Sequence, residues 1–421
     1  MRFSCRYDVL LSNLQDIANV VEDALANEDD KNALFKFSRT AEGNTVKLIG
    51  ISPVITFRRD LNPSDYQLTL DDADVDANGV MFMQIKSKEL LAYLNSYKSI
   101  RKTTVDEVIF EPERGKIKCT VIEIPRLSDD EIKAIEEEKL YNPATRDPRD
   151  ERYVSHWMFD NVMIKPNKLP NINLAAPETE LSTIPSVAMM MYTSSLLPIM
   201  ENSTALYGHM EFDKGHVVAF NKAFTTIMAN IMDGNVFDGL KLSYRALTFV
   251  EKIICTAEEF GVAKTDRHIY FKTDSSEAFI VYDTKLAPYN TQLEMFTKDS
   301  YIRVDRIYLK DVLKRLSLAN DSIVIDIKPA EGVINLSNSK FSQDINITGQ
   351  EGMDGITSVK CKIMPDIFNK AIIGADENYV DDSNPDSADT FIYYCQHPNN
   401  NAIAFADITN AWFSIIRVKT Y

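Results

Sequence analysis

Residues 301–338 read YIRVDRIYLKDVLKRLSLANDSIVIDIKPAEGVINLSN. The apolar alternation of Tyr301–Val304 predicts a strand, and Leu309, Leu313 and Leu316 then recur at helical spacing, predicting an amphipathic helix over Asp305–Leu318. Ser322–Lys328, Gly332–Ser337 and Ser342–Ile347 return to strand patterning. The same order of segments opens near Met1 (MRFSCRYDVLLSNLQDIANVV) and near Val187 (VAMMMYTSSLLPIM), with barely similar letters. At these openings the first helix is expected over Asp8–Ala26 and the Met189–Met191 run within an alternating strand. A unit written three times builds a curved or closed surface, which suits a long partner better than a small substrate.

Second helices are predicted after Ser87, read as an N-cap before Leu90, Leu91 and Leu94, over Tyr244 to about Phe260, and over Pro365–Ile373. Paired strands fill the rest, with Val105–Phe110, Lys116–Cys119 and Val121–Ile124 expected to close the first unit. Many strands and few helices imply an α+β architecture of antiparallel sheets covered by helix pairs. Pro125–Thr183 breaks the rhythm with a charged helix (SDDEIKAIEEEKL) and Pro- and Arg-containing loops. The expected division is 1–126, an insertion and linker over 127–181, then 182–298 and 299–421, three units of about 120 residues.

The chain has 421 residues, 45% apolar, and a formal charge of −16. That charge argues against wholesale coating of nucleic acid but leaves room for a basic strip on an acidic body. Five cysteines lie singly without CxxC spacing, and no apolar stretch approaches bilayer length, so a reducing cytoplasm and no membrane are expected.

The pattern resembles the bacterial β-type sliding clamp, the processivity factor of replicative DNA polymerase. The resemblance is carried by MRFSCRYDVLLSNLQDIANVV, by ALYGHMEFDKGHVVAFNKAFTTI and by the 301–338 stretch. It covers nearly the whole chain outside the insertion. It implies a head-to-tail homodimer ring of three-domain subunits, with helices lining a hole for double-stranded DNA and sheets outside. A clamp-loader ATPase would open the ring, the replicative polymerase would be tethered by it, and no catalysis or cofactor would be involved. Clients would dock at positions that read Phe220, Asn221 and Phe224, then Pro288, Leu293, Met295 and Phe296, then Val418 and Tyr421. The family usually has a Thr-Asp-Gly-His-Arg-Leu type of segment where this chain has FNKAFT, and a Met-Pro-Met-Arg-Leu type of tail where it ends RVKTY. These departures suggest a divergent member, cellular or viral.

Cations on the helices are the candidate DNA contacts, since mobile charges on phosphates give salt-sensitive, sequence-independent attraction. They are Lys88, Lys98, Arg101 and Lys102 around one helix, Arg245 and Lys252 on another, and Arg306, Lys310 and Lys314 as an i, i+4, i+8 row at the exposed edge of a third. A solvated helix face with no specific role is the competing reading of each.

DADVDANG (Asp72–Gly79) imitates a calcium loop but has Ile85 where the bidentate Glu belongs, and is read as a hairpin turn. His209 and His216 fall on adjoining strands and could form a metal pair. The aromatic knot Tyr153, His156, Trp157, Met158 and Phe159 serves either as a docking surface or as a staple for the insertion. Neither GxxxxGK[ST], GxGxxG nor GxSxG occurs, so nucleotide hydrolysis and acyl transfer lack support. An adaptor of repeated β-rich domains and an acidic DNA mimic remain as alternatives.

Overall fold

The structure is a computed structural model that describes residues 1–22, 31–98, 103–142, 144–145, 147–160, 174–200, 208–213, 215–220, 224–229, 236–286, 300–319, 321–356, 358–372, 389–397, 400–406, 412–417 and 419–420. Its elements run in three repeats. The first is β1 (Arg2–Arg6), α1 (Tyr7–Val21), β2 (Asn32–Thr40), β3 (Gly43–Ile51), β4 (Ile55–Asp60), β5 (Tyr66–Thr69), β6 (Val80–Lys86), α2 (Ser87–Asn95), β7 (Thr103–Glu113), β8 (Lys116–Pro125), α3 (Asp129–Tyr141) and β9 (Tyr153–Asp160). The second is β10 (Ser182–Pro185), α4 (Ser186–Met200), β11 (His209–Asp213), β12 (His216–Phe220), β13 (Phe224–Ala229), β14 (Leu240–Ser243), α5 (Tyr244–Ile253), β15 (Glu259–Lys264), β16 (His268–Lys272) and β17 (Ser276–Val281). The third is β18 (Tyr301–Asp305), α6 (Arg306–Ser317), β19 (Ile323–Lys328), β20 (Val333–Ser337), β21 (Ser342–Glu351), β22 (Val359–Ile363), α7 (Pro365–Ala371), β23 (Asp389–His397), β24 (Asn400–Ala406), β25 (Trp412–Arg417) and β26 (Lys419–Thr420).

In each repeat two strands run straight into helices. The turn is made by one extended residue, which is also the N-cap: Ser243 accepts from the Ala246 amide and Asp305 from the Tyr308 amide. Helices α1 and α6 then bury one stripe each, Leu10, Leu14 and Ile17 in the first, Leu309, Leu313 and Leu316 in the second. Each such side chain contributes roughly 1.5–3 kcal/mol relative to exposure.

The chain divides into two compact units. One comprises Met1–Leu181 with Phe260–Val281, the other Ser182–Glu259 with Tyr282–Tyr421. The division crosses the second repeat because its last strands join the first. In the first unit one antiparallel sheet runs β5-β1-β7-β8-β9 and another continues β15-β16-β17-β4-β3-β2-β6. Phe3 of the former lies 5.4 Å from Phe37 of the latter, ring to ring, so the core sits between the sheets. In the second unit the order is β14-β11-β12-β13-β25-β24-β23-β18-β21-β20-β19-β22-β26. Here β13 pairs with β25 as β4 pairs with β17: the third strand after a first helix meets the last long strand of the following repeat, the two-residue β26 aside.

Several expectations are corrected. The methionine run lies on α4, not on a strand: Met189 is fully buried and Met190 is 44% exposed. Ser87 is not an N-cap but the first helical residue, capped by Lys86 without a side-chain bond. α1 ends at Val21 and α5 at Ile253, followed by a 3-10 turn. The segment Lys116–Ile124 is one strand, β8, and the strand that closes the first repeat is β9, inside the stretch read as insertion and linker. Asp72–Gly79 forms a turn but not a hairpin, because β5 pairs with β1 while β6 pairs with β2. Its carboxylates serve the chain itself, Asp74 holding the Met1 amine at 2.6 Å and Asp76 accepting the Asn78 and Val80 amides. Among the described residues no helix is long and apolar enough to cross a membrane.

Candidate nucleic-acid interface

The six helices that follow strands differ in what they expose. The outward row of α1 is Asp8, Ser12, Gln15 and Asn19, with no cation. Its Asp16 reaches back to Arg59 Nη1 at 2.6 Å, and burial still raises that carboxyl above the usual range against the pull of the guanidinium. Helix α2, which packs on α1, exposes Lys88, Glu89, Ala92 and Asn95, with exposed Lys98 just beyond its end. α4 carries no charge and exposes Val187 at 67%. On α5, Arg245 is half-buried and Lys252 exposed in the last turn.

Helix α6 holds the densest positive charge, four cations against the single Asp311. The expected row is broken at its start: Arg306 is 2% exposed. It stands at i, i+3 and i+7 with Leu309 and Leu313, so the turn leaving β18 carries its stem inward with theirs. Lys310 is half-buried, and the Lys314 side chain is 75% exposed, 3.3 Å from Asp311. A surface pair of this kind contributes little and exchanges readily for another anion. Arg315, also exposed, belongs to the same end of the helix and was missed by following the i, i+4 row alone. Arg101 and Lys102 lie outside the described residues.

Of the expected client pocket, Phe220 is half-buried at the end of β12, its ring 4.9 Å from that of His209 on β11. Phe224 begins β13, opposite Ile416. Asn221, Pro288, Leu293, Met295, Phe296, Val418 and Tyr421 lie outside the described residues. His209 and His216 do not meet, since His209 pairs with Phe220 and His216 with Asp213 at opposite ends of the hairpin. His209 Nε2 instead lies 3.0 Å from the fully buried Glu211 carboxylate. Among the described residues no three His, Cys, Asp or Glu side chains are grouped as metal ligands. The aromatic knot staples β9 beneath α2: Phe159 and Trp157 lie 5.8 and 5.7 Å from Tyr93, and Ser155 Oγ lies 2.6 Å from Tyr97 Oη.

Neither family models nor curated protein sequences match this sequence. Solved structures match it from end to end. The putative DNA polymerase III β subunit of Eubacterium rectale superposes with a TM-score of 0.69 at 12% identity, covering 100% of both chains. The DNA polymerase III β subunit of Borrelia burgdorferi, in complex with a natural product, gives 0.69 at 11%, covering 100% of this chain and 99% of that one. The Helicobacter pylori β clamp bound to a DNA ligase peptide gives 0.64 at 12%, with 100% of both chains covered. The architecture is that of a sliding clamp. Among sliding clamps, this chain has the fold of the DNA polymerase III β type, at an identity that marks it as divergent.

Proposed function

We propose that the protein is a non-enzymatic sliding clamp that encircles double-stranded DNA and tethers a replicative polymerase. One observation carries this reading. The antiparallel pairing that joins repeats inside the chain, β4 with β17 and β13 with β25, has an unused pair of counterparts. β9 is the last strand of the first repeat. β21 is the third strand after α6, the first helix of the third repeat, and over Ser342–Asn346 it pairs on one side only among the described strands. β9 lacks the Lys, Pro or bulge that usually protects an edge, and Tyr153, Val154 and Trp157 are 49%, 58% and 50% exposed. Adding β9 of one copy to β21 of another closes a head-to-tail ring by the rule already used twice within the chain.

In that ring the three domains divide near residues 181 and 298, with the first extended through β9. Lys88, Lys98, Arg245, Lys252, Lys310 and Lys314 supply sequence-independent phosphate contacts, joined by Arg101, Lys102 and the newly found Arg315. A clamp-loader ATPase opens the ring in the cytoplasm. The H. pylori β clamp binds a DNA ligase peptide, and in this chain client peptides dock around Phe220, with a preference changed by the FNKAFT and RVKTY segments. An adaptor would ignore DNA, and a mimic would compete with it.

The test is retention. The protein should run as a dimer, stay on closed circular DNA once loaded, and leave when the circle is cut. Lys310→Glu with Lys314→Glu and Arg315→Glu should lower retention on the circle about tenfold or more at moderate salt, with an unchanged circular dichroism spectrum. Equal behaviour on cut and closed circles would refute the clamp reading.

A further inference from the structure

The turns that lead into the junction strands differ in one place. Between β16 and β17 the chain turns within residues 273–275, whereas between β8 and β9 it builds α3 and a loop held by Asp147. α3 opens with a capping box between Ser128 and Glu131. Asp147, its side chain 6% exposed, takes Lys139 Nζ at 2.7 Å and Arg149 Nη2 at 2.8 Å. No residue of α3 is buried, and a helix of this length is marginal in water without such ties. It displays six carboxylates against two lysines and ends on Leu140 and Tyr141, 82% and 91% exposed. The chain thus holds an ordered helix in place with only Ile132, Ile135 and Lys139 half-covered and its acidic side exposed.

The β4–β17 junction gives the position of such a turn. The Asp60 amide donates to Ser275 O at 2.9 Å, and Arg59 bridges Ser276 Oγ at 2.9 Å and Asp16 of α1 at 2.6 Å. The turn therefore lies one side chain away from the tenth residue of the first helix. In the third repeat, α6 packs on β21 and its tenth residue is Arg315, exposed beside Lys314, with no ion pair to Arg315 among the described residues. An acid stands at this position in the first repeat and a base in the third. The turn that would arrive beside the base carries the acidic helix.

Resting on the ring reading above, we infer that α3 of one copy docks on the Lys314–Arg315 end of α6 of the second copy. It forms an electrostatic latch across each closing junction. The occupant is a second copy because the charges complement one another and because β9, the strand that α3 leads into, is an open edge among the described strands. The latch makes ring closure dependent on ionic strength, and its carboxylates occupy cations that phosphate would otherwise take.

The experiment measures the dimer dissociation constant by sedimentation, without DNA, in about 0.05 M and about 0.5 M salt. Glu136→Lys, Glu137→Lys and Glu138→Lys together, all at exposed positions, should raise it about tenfold at the lower salt and little at the higher. Lys314→Glu with Arg315→Glu should do the same, and a chain carrying both sets should recover the original value. Failure of that combined chain to recover, or a triple reversal without effect on an otherwise normal dimer, overturns the latch and leaves the ring standing. A wild-type chain that stays monomeric overturns the ring reading and the latch with it. Unchanged circular dichroism of each variant keeps these outcomes distinct from misfolding.

Discussion

The two junctions inside the chain share a pairing rule and little else. Where β17 meets β4, Ile55, Phe57, Ala278 and Ile280 are buried, and an ionic contact is added to them: Arg58 lies opposite Glu277 at 3.5 Å, with Lys47 at 3.7 Å from the same carboxylate, and stacks its guanidinium 4.9 Å from the Phe279 ring. Where β25 meets β13, Val218, Ile227, Ala402, Ala404, Ala406 and Ile415 form an apolar cluster under Phe220 and Tyr301, and the fully buried Thr226 and Ser414 hydroxyls bond to each other. The fold therefore specifies backbone geometry at a junction and leaves its chemistry free. Low identity across a conserved sheet order is the expected result.

The largest effect should come from the apolar junction. Ile227→Ala removes a side chain that is 4% exposed and should cost about 3 kcal/mol in denaturant titration, with little dependence on salt. At the ionic contact Glu277→Ala removes the carboxylate that the buried Arg58 shares with Lys47 and should cost about 2 kcal/mol. Arg58→Met combined with Glu277→Leu should recover to within about 1 kcal/mol of wild type, since a packed apolar pair replaces the ion pair. If the combined change costs as much as Glu277→Ala alone, the contrast between the junctions is wrong.

The smallest effect sharpens the contrast by pH. The folded Asp16 carboxyl is raised by burial, so the native state binds its proton more tightly than the unfolded chain. Stability should fall as pH rises from the ordinary carboxylate range through the folded value. Asp16→Asn should remove that slope, measured as midpoint denaturant concentration against pH.

Much of this was legible in the letters. The 301–338 stretch predicted β18, α6, β19 and β20 nearly to the residue, because period-2 and period-3.6 patterns alternate there without ambiguity. α4 was misread because apolar residues of SVAMMMYTSSLLPIM fall on its exposed side as well as its buried one, Val187 and Met190 outside and Met189 and Leu196 inside, which leaves no helical period in the letters. β9 was hidden because its partner β8 lies beyond a 27-residue excursion (126–152), and pairing across it leaves no mark on local composition. Of the site, Lys314 was placed correctly on an exposed face. Arg306 was not, since the strand-to-helix turn, invisible in spacing, rolls the first helical residue inward.

Arg59 and Ser276 are 217 residues apart, and the ribosome adds about 5–20 residues per second. During synthesis the outer edge of β4 therefore waits on the order of ten to forty seconds for β17 to emerge. Throughout that interval it is an uncovered row of amides and carbonyls, the kind of surface on which neighbouring nascent chains stick. Arg58 and Arg59 sit side by side on it. Until Glu277 and Ser276 emerge, these cations oppose edge-to-edge pairing between unfinished copies on one polysome.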